Sequence, residues 1–259
     1  MVAKGLSVAI AKGLKTDCIG QKVIYLPSVT STMDIARQEA LKGAAAGTVV
    51  IAGEQTGGRG RLKRSWLTPQ GNIALSIILY PDTKSLPYLI MMASLAVCYS
   101  IESVTGTKAL IKWPNDILIN RKKVCGILIE NEVRGNKVAY SIIGIGINVN
   151  LKVNNYTEIA NTAASLKNEP GKADLRVKII RALLQEFDKL YVKLSDGKAI
   201  YETWRDRLVT LGQKVKATSG NQIIEGIAES VDESGALNIK GKDGKVTRVV
   251  AGDVTLRGK

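Results

Sequence analysis

A glycine- and arginine-rich segment at residues 53–66 separates two apolar runs and constrains the structure on either side of it. The segment is Gly-Glu-Gln-Thr-Gly-Gly-Arg-Gly-Arg-Leu-Lys-Arg-Ser-Trp, with four glycines, three arginines and one lysine. It can neither bury an apolar face nor maintain a regular helix. Glycines let a backbone approach a ligand closely, and guanidinium groups bind phosphate or carboxylate oxygens. We therefore predict an anion-binding loop; the alternative is a solvated basic loop, since the segment does not match a Walker phosphate loop.

Apolar runs on both sides of this loop predict strands that anchor it. Residues 48–52 are Thr-Val-Val-Ile-Ala and residues 72–80 are Asn-Ile-Ala-Leu-Ser-Ile-Ile-Leu-Tyr, a composition typical of buried strands. Residues 85–104 are apolar nearly all round, with Pro87 in the first turn, and predict a helix packed beneath the sheet. The loop is expected to be held at both ends by a rigid core.

A helix is also predicted before the loop, from the composition and apolar spacing of residues 34–41, with its end at Gly43. Ser31 and Asp34 form a candidate capping pair at its start. One interpretation is that Ser31 and Thr32 only cap the helix. The other is that their hydroxyls and the helix N-terminus face a polar ligand.

A hairpin is predicted from two β-rich runs, 110–119 and 123–130, joined by Asn-Arg-Lys at 120–122. Lys123 begins the second run, whose other residues are mostly apolar, and strand alternation directs its ammonium group inward. An inward lysine needs an anion, which is either a protein carboxylate or a ligand.

Pro114 interrupts the first of these runs where Lys112, Asn115 and Asp116 cluster. A lysine, an amide and a carboxylate at a strand break are suited to a nucleotide with a divalent cation. The alternative is an ordinary strand end with polar residues.

Residues 141–150 predict a strand with Gly144 and Gly146 on one face, which leaves room for a ligand or another backbone. The strand lacks the third glycine and the following helix of a dinucleotide-binding fingerprint, so we reject that function. Residues 151–172 are polar and irregular, and they form a candidate flap.

The C-terminal part changes character along its length. Helical spacing begins at Ala173, and residues 199–208 predict a second short helix. After residue 211, short strands separated by Ser-Gly, Glu-Ser-Gly and Lys-Asp-Gly predict a small β-barrel. The predicted fold class is α+β, with a lead-in at residues 1–20, an α+β domain at 21–208 and an all-β module at 209–259.

The composition excludes several kinds of chemistry. The chain of 259 residues has no histidine, which rules out Ser-His-Asp triads, Cys-His pairs and zinc sites that contain imidazole. Any reaction must use lysine, arginine, carboxylates, backbone amides or a hard cation. The net charge of +14 indicates an anionic partner such as a nucleotide, an acidic protein or nucleic acid.

The cysteines and the apolar runs indicate the compartment. Cys18, Cys98 and Cys125 are odd in number, which predicts reduced thiols and a cytoplasmic protein. The longest apolar run, Tyr88 to Cys98, is too short to span a bilayer, and early lysines interrupt any signal-peptide core. No membrane partner is expected.

An ordered set of motifs resembles the biotin protein ligase family from about residue 20 to the C-terminus. The motifs are Gly-Arg-Gly-Arg at 58–61 with Trp66, Lys-Trp-Pro-Asn-Asp at 112–116, Lys-Val-Cys-Gly-Ile-Leu at 123–128, Gly-Ile-Gly-Ile-Asn-Val at 144–149 and Ala-Gly-Asp-Val-Thr-Leu-Arg at 251–257. Each motif alone is weak, whereas the ordered set is highly specific. The resemblance implies a mixed sheet flanked by helices, as in class II aminoacyl-tRNA synthetases and biotin ligases, followed by an SH3-like barrel.

The resemblance also implies a two-step reaction. Biotin and ATP give biotinyl-5′-AMP and pyrophosphate, and a lysine of a biotin carboxyl carrier protein then attacks the mixed anhydride. This chemistry joins two anions, so it rests on cationic and N–H groups with magnesium (Mg2+) and needs no histidine. The family resemblance is consistent with a homodimer formed through the sheet of the main domain.

The motif positions imply the site residues. The biotin contacts would be Ser31, Thr32, Met33, Gln55, Arg59, Gly60, Arg61, Lys123, Gly126 and Gly146. The ATP contacts would be Arg61, Arg64, Trp66, Lys112, Asn115, Asp116 and Asn148. Lys123, Arg61 and Lys112 would be catalytic, Asp116 would bind the metal, and residues 151–166 would cover the adenine.

The sequence departs from the family pattern at two positions. Met33 stands where the family usually has asparagine, which puts a hydrogen bond there in doubt, and Cys125 stands where alanine is common. Family members that also act as repressors carry an N-terminal winged helix, and residues 1–20 are too few to form one. We therefore expect a ligase that does not bind DNA.

Two other functions stay open at this point. A lipoate ligase or octanoyl transferase would share the fold, and the transferase would use a cysteine near a lysine; Cys125 lies two residues from Lys123, on the same face of a regular strand. A nucleic-acid binder is suggested by the charge and the barrel, but the last 50 residues contain no Trp, Phe or Tyr for base stacking.

Overall fold

Seven strands form the larger of two sheets in the computed structural model, which describes residues 8–166, 175–220 and 222–256. They are β1 (Val23–Val29), β2 (Val49–Gln55), β3 (Ile73–Leu79), β4 (Leu110–Lys112), β5 (Asp116–Ile119), β6 (Lys122–Arg134) and β7 (Lys137–Ile147). Their order across the sheet is β1-β2-β3-β7-β6-β5-β4. The β1–β2 pair is parallel and every other neighbouring pair is antiparallel, so the sheet is mixed, as the sequence predicts.

Helices lie on both faces of this sheet. They are α1 (Thr32–Leu41), α2 (Leu86–Thr105), α3 (Leu175–Val192) and α4 (Gly197–Arg205). Helix α1 packs on one face against Val50, Ile78 and Ile142. Alternation along the strands sends Val49 and Ile77 to the opposite face, where they join the main core with α2 and α3.

Helix α2 is the apolar helix that the sequence predicts beneath the sheet. By length and composition alone, the stretch Thr83–Thr105 could cross a membrane. However, 61% of its most apolar 18-residue segment is buried inside the molecule. Its buried side chains include Leu89, Met92 and Leu95, which pack in the main core. It therefore serves as a core helix.

The start of α1 differs in one detail from the prediction. The Ser31 hydroxyl caps the helix by accepting a hydrogen bond from the Met33 N–H at 3.3 Å. Asp34 does not complete a capping pair, because its carboxylate accepts two hydrogen bonds from the guanidinium of Arg59. A side chain from the distant loop binds this carboxylate more strongly than a local backbone group would.

The predicted break and hairpin are both present. Strand β4 ends at Lys112 and β5 begins at Asp116, with Pro114 in the turn between them. Asn120 and Arg121 form the turn before β6, with φ angles of 48° and 64°. The pairing of β5 with β6 then shifts: Ile117 pairs with Cys125 but Leu118 pairs with Lys123. Val124 is therefore the extra residue of a β-bulge.

The second sheet contains five antiparallel strands and forms the predicted C-terminal module. The strands are β8 (Lys214–Ser219), β9 (Gln222–Val231), β10 (Leu237–Lys240), β11 (Val246–Val249) and β12 (Asp253–Leu256). Their order is β11-β10-β9-β8-β12. The buried indole of Trp113 joins this module to the main domain by donating a hydrogen bond to the Gly235 carbonyl at 2.8 Å. The division at residues 208/209 stays a prediction.

Parts of the predicted termini and flap lie outside the described residues. These parts are residues 1–7, 167–174 and 257–259, the last of which include Arg257 of the C-terminal motif. The described part of the lead-in is fixed to α3, because the buried Asp188 carboxylate accepts hydrogen bonds from the N–H groups of Asp17, Cys18 and Ile19 at 2.8 to 2.9 Å.

Candidate functional site

The glycine- and arginine-rich loop folds back on itself across the ends of the central strands. The Gly60 N–H donates to the Arg64 carbonyl at 2.7 Å, and the Trp66 N–H donates to the Gly58 carbonyl at 2.9 Å. Leu62 at the tip has a φ of 53°, which a branched side chain adopts at a cost. The loop is thus ordered. We call residues 59–66 the arm, and most of them overhang a cavity.

The cavity has a volume of about 580 Å³. It lies between the N-terminus of α1, the loop, strands β4 to β7, residues 158–163 and strand β12. Every predicted site residue lines it: Ser31, Thr32, Met33, Gln55, Arg59, Gly60, Arg61, Arg64, Trp66, Lys112, Asn115, Asp116, Lys123, Gly126, Gly146 and Asn148. The structure therefore brings the separated motifs to one place.

One end of the cavity is neutral and polar. The Gln55 amide oxygen accepts hydrogen bonds from the Thr32 N–H at 2.8 Å and from the Thr32 hydroxyl at 3.1 Å. The Gln55 amide nitrogen donates to the Thr68 hydroxyl at 3.2 Å, and the Thr32 and Ser76 hydroxyl oxygens lie 2.8 Å apart. This network fixes the orientation of the polar groups, so they are pre-organised for a neutral ligand with its own donors and acceptors.

Glycines on β6 and β7 make the floor of the cavity. A Cβ added to Gly146 would overlap Nε1 of Trp66, and one added to Gly126 would lie 3.1 Å from Cζ3 of the same indole. A Cβ added to Gly144 would lie 2.7 Å from Sδ of Met33. The space that the sequence predicts for a ligand or a backbone is therefore shared with the side chains of Trp66 and Met33.

The other end of the cavity is charged. Nζ of Lys123 lies 2.6 Å from Oδ1 of Asp116, and Nζ of Lys112 lies 4.0 Å from Oδ2 of the same carboxylate. Arg61 donates a hydrogen bond to the Asn115 amide oxygen at 3.1 Å, and burial lowers the pKa of its guanidinium. Three cations thus surround one carboxylate, which leaves positive charge for an anionic ligand.

Asp116 is also the predicted metal ligand. Within the three described ranges, no group of three or more cysteine, aspartate or glutamate side chains is placed to hold a metal ion. A single carboxylate beside two ammonium groups fits magnesium only if the phosphates of a nucleotide supply other ligands.

Comparisons with known proteins agree with this arrangement. The model of the biotin/lipoate A/B protein ligase family matches residues 25–148, and that of the biotin protein ligase C-terminal domain matches residues 210–257. A bifunctional ligase/repressor BirA from Bacillus spizizenii is 37% identical over 250 residues, which cover 94% of this chain and 77% of the relative. The chain belongs to the biotin protein ligase family.

Other family members support the match along the chain. A biotin–[acetyl-CoA-carboxylase] ligase from Paracoccus denitrificans is 34% identical over 223 residues, covering 82% of this chain and 93% of the relative. The structure of the biotin protein ligase from Aquifex aeolicus in complex with biotin and ATP has a TM-score of 0.70 and 28% identity, and the match covers 92% of this chain and all of that one.

The geometry around Cys125 contradicts the idea that it shares a face with Lys123. The bulge at Val124 breaks the alternation, so Lys123 faces the cavity while Cys125 is fully buried in the main core. Burial raises the pKa of the Cys125 thiol well above its usual value. This thiol is therefore unsuited to the nucleophilic role that an octanoyl transferase would need.

The sequence predicts that residues 151–166 cover the site, but not how this segment is held there. Residues 158–163 line the cavity as a fixed segment: the Lys123 N–H donates to the Thr162 carbonyl and the Ala164 N–H donates to the Lys123 carbonyl, both at 2.8 Å. Asn148, predicted as a nucleotide contact, donates its side-chain amide to the Ala164 carbonyl at 3.1 Å. The irregular composition of residues 151–166 predicted a flap, but it did not predict the hydrogen bonds that attach this segment to β6.

Strand β12 also contributes to the site. Asp253 lines the cavity, and its carboxylate lies 2.6 Å from a guanidinium nitrogen of Arg64 in the loop. The motif at 251–257 was the available signal, although it does not indicate which face of the domain the strand reaches.

Proposed function

We propose that the chain is an ATP-dependent biotin ligase that activates biotin as biotinyl-5′-AMP and transfers it to a lysine of a biotin carboxyl carrier protein. The observation that carries this proposal is the convergence of Arg61, Lys112 and Lys123 on one cavity whose opposite end is neutral and polar. The ureido ring of biotin fits the neutral end, near Thr32 and Gln55, and its carboxylate then points toward the cations. The related structure is a complex with biotin and ATP, which supports binding of both substrates.

The first step joins two anions. A carboxylate oxygen of biotin forms a bond to the α-phosphorus of ATP, and the bond to pyrophosphate breaks with its electron pair. Repulsion between the carboxylate and the phosphate opposes their approach, and the cationic groups of Lys123, Lys112 and Arg61 offset it. Lys123 takes the position between biotin carboxylate and phosphate, because its ammonium group lies in the cavity and pairs there with the carboxylate of Asp116.

The second step uses the stored acyl-phosphate. The acceptor lysine attacks the acyl carbon as a neutral amine, and the bond to AMP breaks with its electron pair. The nitrogen then loses one proton to solvent, which leaves the amide. The loop must cover the adenylate until the acceptor arrives, since a mixed anhydride reacts with water and with other amines. We assign that retention to the arm that carries Arg61.

Magnesium would reach the site on the phosphates of ATP, where it would neutralise charge on the leaving pyrophosphate. Asp116 would be the side chain that binds it, while Asn115 and Lys112 would orient the phosphates from the same turn. The carrier protein, a cytoplasmic location and a homodimer through the main sheet stay proposals. The three cysteines are unpaired thiols, which favours the cytoplasm.

The proposal is tested by incubating the purified chain with biotin, labelled ATP and a carrier domain. We expect one AMP and one pyrophosphate for each biotin attached, and no attachment to a carrier whose acceptor lysine is replaced by arginine. Lipoate and octanoate serve as competing acids. Transfer of either acid in preference to biotin, or transfer without AMP formation, would contradict the proposal.

A further inference from the structure

Arg59 has its charge satisfied by the protein itself. Its Nη1 donates to Oδ2 of Asp34 at 2.7 Å and its Nη2 donates to Oδ1 at 2.8 Å, a bidentate pair. Its Nη2 also lies 3.7 Å from Oε1 of Glu130 on β6. The two terminal nitrogens of the guanidinium are thus directed at carboxylates of the protein and not at the centre of a ligand site.

A second arginine completes the cluster. Arg37, one turn after Asp34 on α1, donates to the Glu130 carboxylate and lies 3.7 Å from Asp34. We call Asp34, Arg37, Arg59 and Glu130 the latch. Two positive and two negative charges alternate in it, and the hydrogen bond from Arg59 lowers the pKa of the Asp34 carboxyl, so the carboxylate is ionised at neutral pH.

The latch joins three elements, one of which is the loop that overhangs the cavity. Asp34 and Arg37 belong to α1, Glu130 belongs to β6, and Arg59 belongs to the loop. Gly60 and Arg61 follow Arg59 directly and line the cavity. The position of Arg59 therefore sets where the chain of the arm begins to cross the cavity.

The latch is also able to open. Its four side chains keep between 32% and 42% of their surface exposed, so water can replace the ion pairs when they separate. Exposed ion pairs contribute modestly to stability, and a bidentate guanidinium–carboxylate pair in a network contributes more than an isolated one. The ion pairs of the latch are thus strong enough to favour the position of the loop over the cavity and weak enough to let the loop move away.

We propose that Asp34 and Glu130 are positioning residues whose ion pairs with Arg59 hold the arginine loop over the cavity and so retain the adenylate. Retention of an adenylate rests on the proposed function, whereas the positioning of the loop does not. Arg59 then acts through Asp34 and Glu130 and not as a direct contact of the ligand.

The first test measures the loop without any substrate. The arm contains trypsin sites after Arg59, Arg61, Lys63 and Arg64, and cleavage there is followed by mass spectrometry. We expect Asp34→Asn and Glu130→Gln to be cleaved in the arm about fivefold faster than wild type, in line with loss of a partly exposed ion pair. Asp34→Glu should restore resistance, because it keeps the charge.

The matched control is Glu39→Gln. Glu39 lies on the same helix and pairs with Lys22 and Lys42 on the surface, away from the loop. It should leave cleavage of the arm unchanged, and all variants should keep their thermal transition within a few degrees of wild type. Equal cleavage of the arm in Asp34→Asn, Glu130→Gln and Glu39→Gln would overturn the proposal.

The second test uses the reaction. In single-turnover experiments without carrier, Asp34→Asn should form the adenylate at a similar rate and release it several-fold faster than wild type. Unchanged release with a loosened arm would overturn the retention role. Absence of any adenylate in wild type would contradict the proposed function and leave the protease result to decide the latch.

Discussion

Nζ of Lys123 lies 2.6 Å from Oδ1 of Asp116, the first residue of the neighbouring strand β5. The backbone of Lys123 is fixed on its other side by hydrogen bonds to Thr162 and Ala164. The ammonium group therefore has a defined position and an ionic partner within the protein itself. An incoming carboxylate or phosphate finds a cation whose place is set by two strands and a loop.

Replacing Lys123 by alanine should abolish adenylate formation while the chain still folds. The side chain is one-third exposed, so its loss removes little packing, but it removes the charge that the proposed function assigns to the reacting anions. We expect at least about a hundredfold decrease in biotin-dependent pyrophosphate release, the scale of losing one electrostatic contact to a transition state. Lys122→Ala is the control, since Lys122 is exposed; near-normal release by Lys123→Ala would show that the assignment is wrong.

Arg61→Gly should let the adenylate escape. Arg61 reaches from the arm to Asn115 across the cavity that both residues line, so glycine would remove this contact and leave the floor intact. The expected result is biotin on many exposed lysines of a bystander protein, detected by avidin blot and mass spectrometry. Lys63→Ala, at the exposed tip of the same arm, should label only the carrier. If Arg61→Gly also labels only the carrier, Arg61 has no retention role.

Alanine at Gly146 should displace Trp66, whereas alanine at Gly126 should be tolerated better. The new methyl group at Gly146 would overlap the indole, while the one at Gly126 would lie 3.1 Å from it. We expect a shift of tryptophan emission and a tenfold or larger rise in the Michaelis constant for ATP in Gly146→Ala, on the order of 1.4 kcal/mol. Equal effects of the two substitutions would contradict the packing described here.

Cys125→Ala should keep most of the activity. The thiol is buried in the core on the far side of the bulge, so the substitution costs about 1 kcal/mol of stability from lost packing. Because burial raises the pKa of this thiol, iodoacetamide should not modify it in the folded chain at pH 8. Loss of transfer activity in a folded Cys125→Ala variant would favour an acyl-cysteine mechanism.

Local patterns in the sequence were sufficient for most of the fold. The β-branched runs on both sides of the loop, the apolar helix from Leu86 and the break at Pro114 all depend on residues close in sequence. The ordered motifs also identified residues that line one cavity. Their individual roles in binding and catalysis stay predictions.

Contacts between distant segments could not be predicted from local patterns in the sequence. The bulge at Val124 arises from how β6 pairs with β5, and strict alternation placed Cys125 on the wrong face. The pairs of Asp34 with Arg59 and of Arg64 with Asp253 join segments that are far apart in the chain. Such pairs become visible only when the sheet and the second module bring the segments together.

The most direct test of the central claim is exchange of labelled pyrophosphate into ATP, measured without carrier protein. If one cavity holds the acid and the nucleotide together, exchange should require biotin, should be lost in Lys123→Ala, and should not occur with lipoate or octanoate. Exchange that proceeds without biotin, or equally well with octanoate, would contradict a biotin site joined to the cationic end of this cavity.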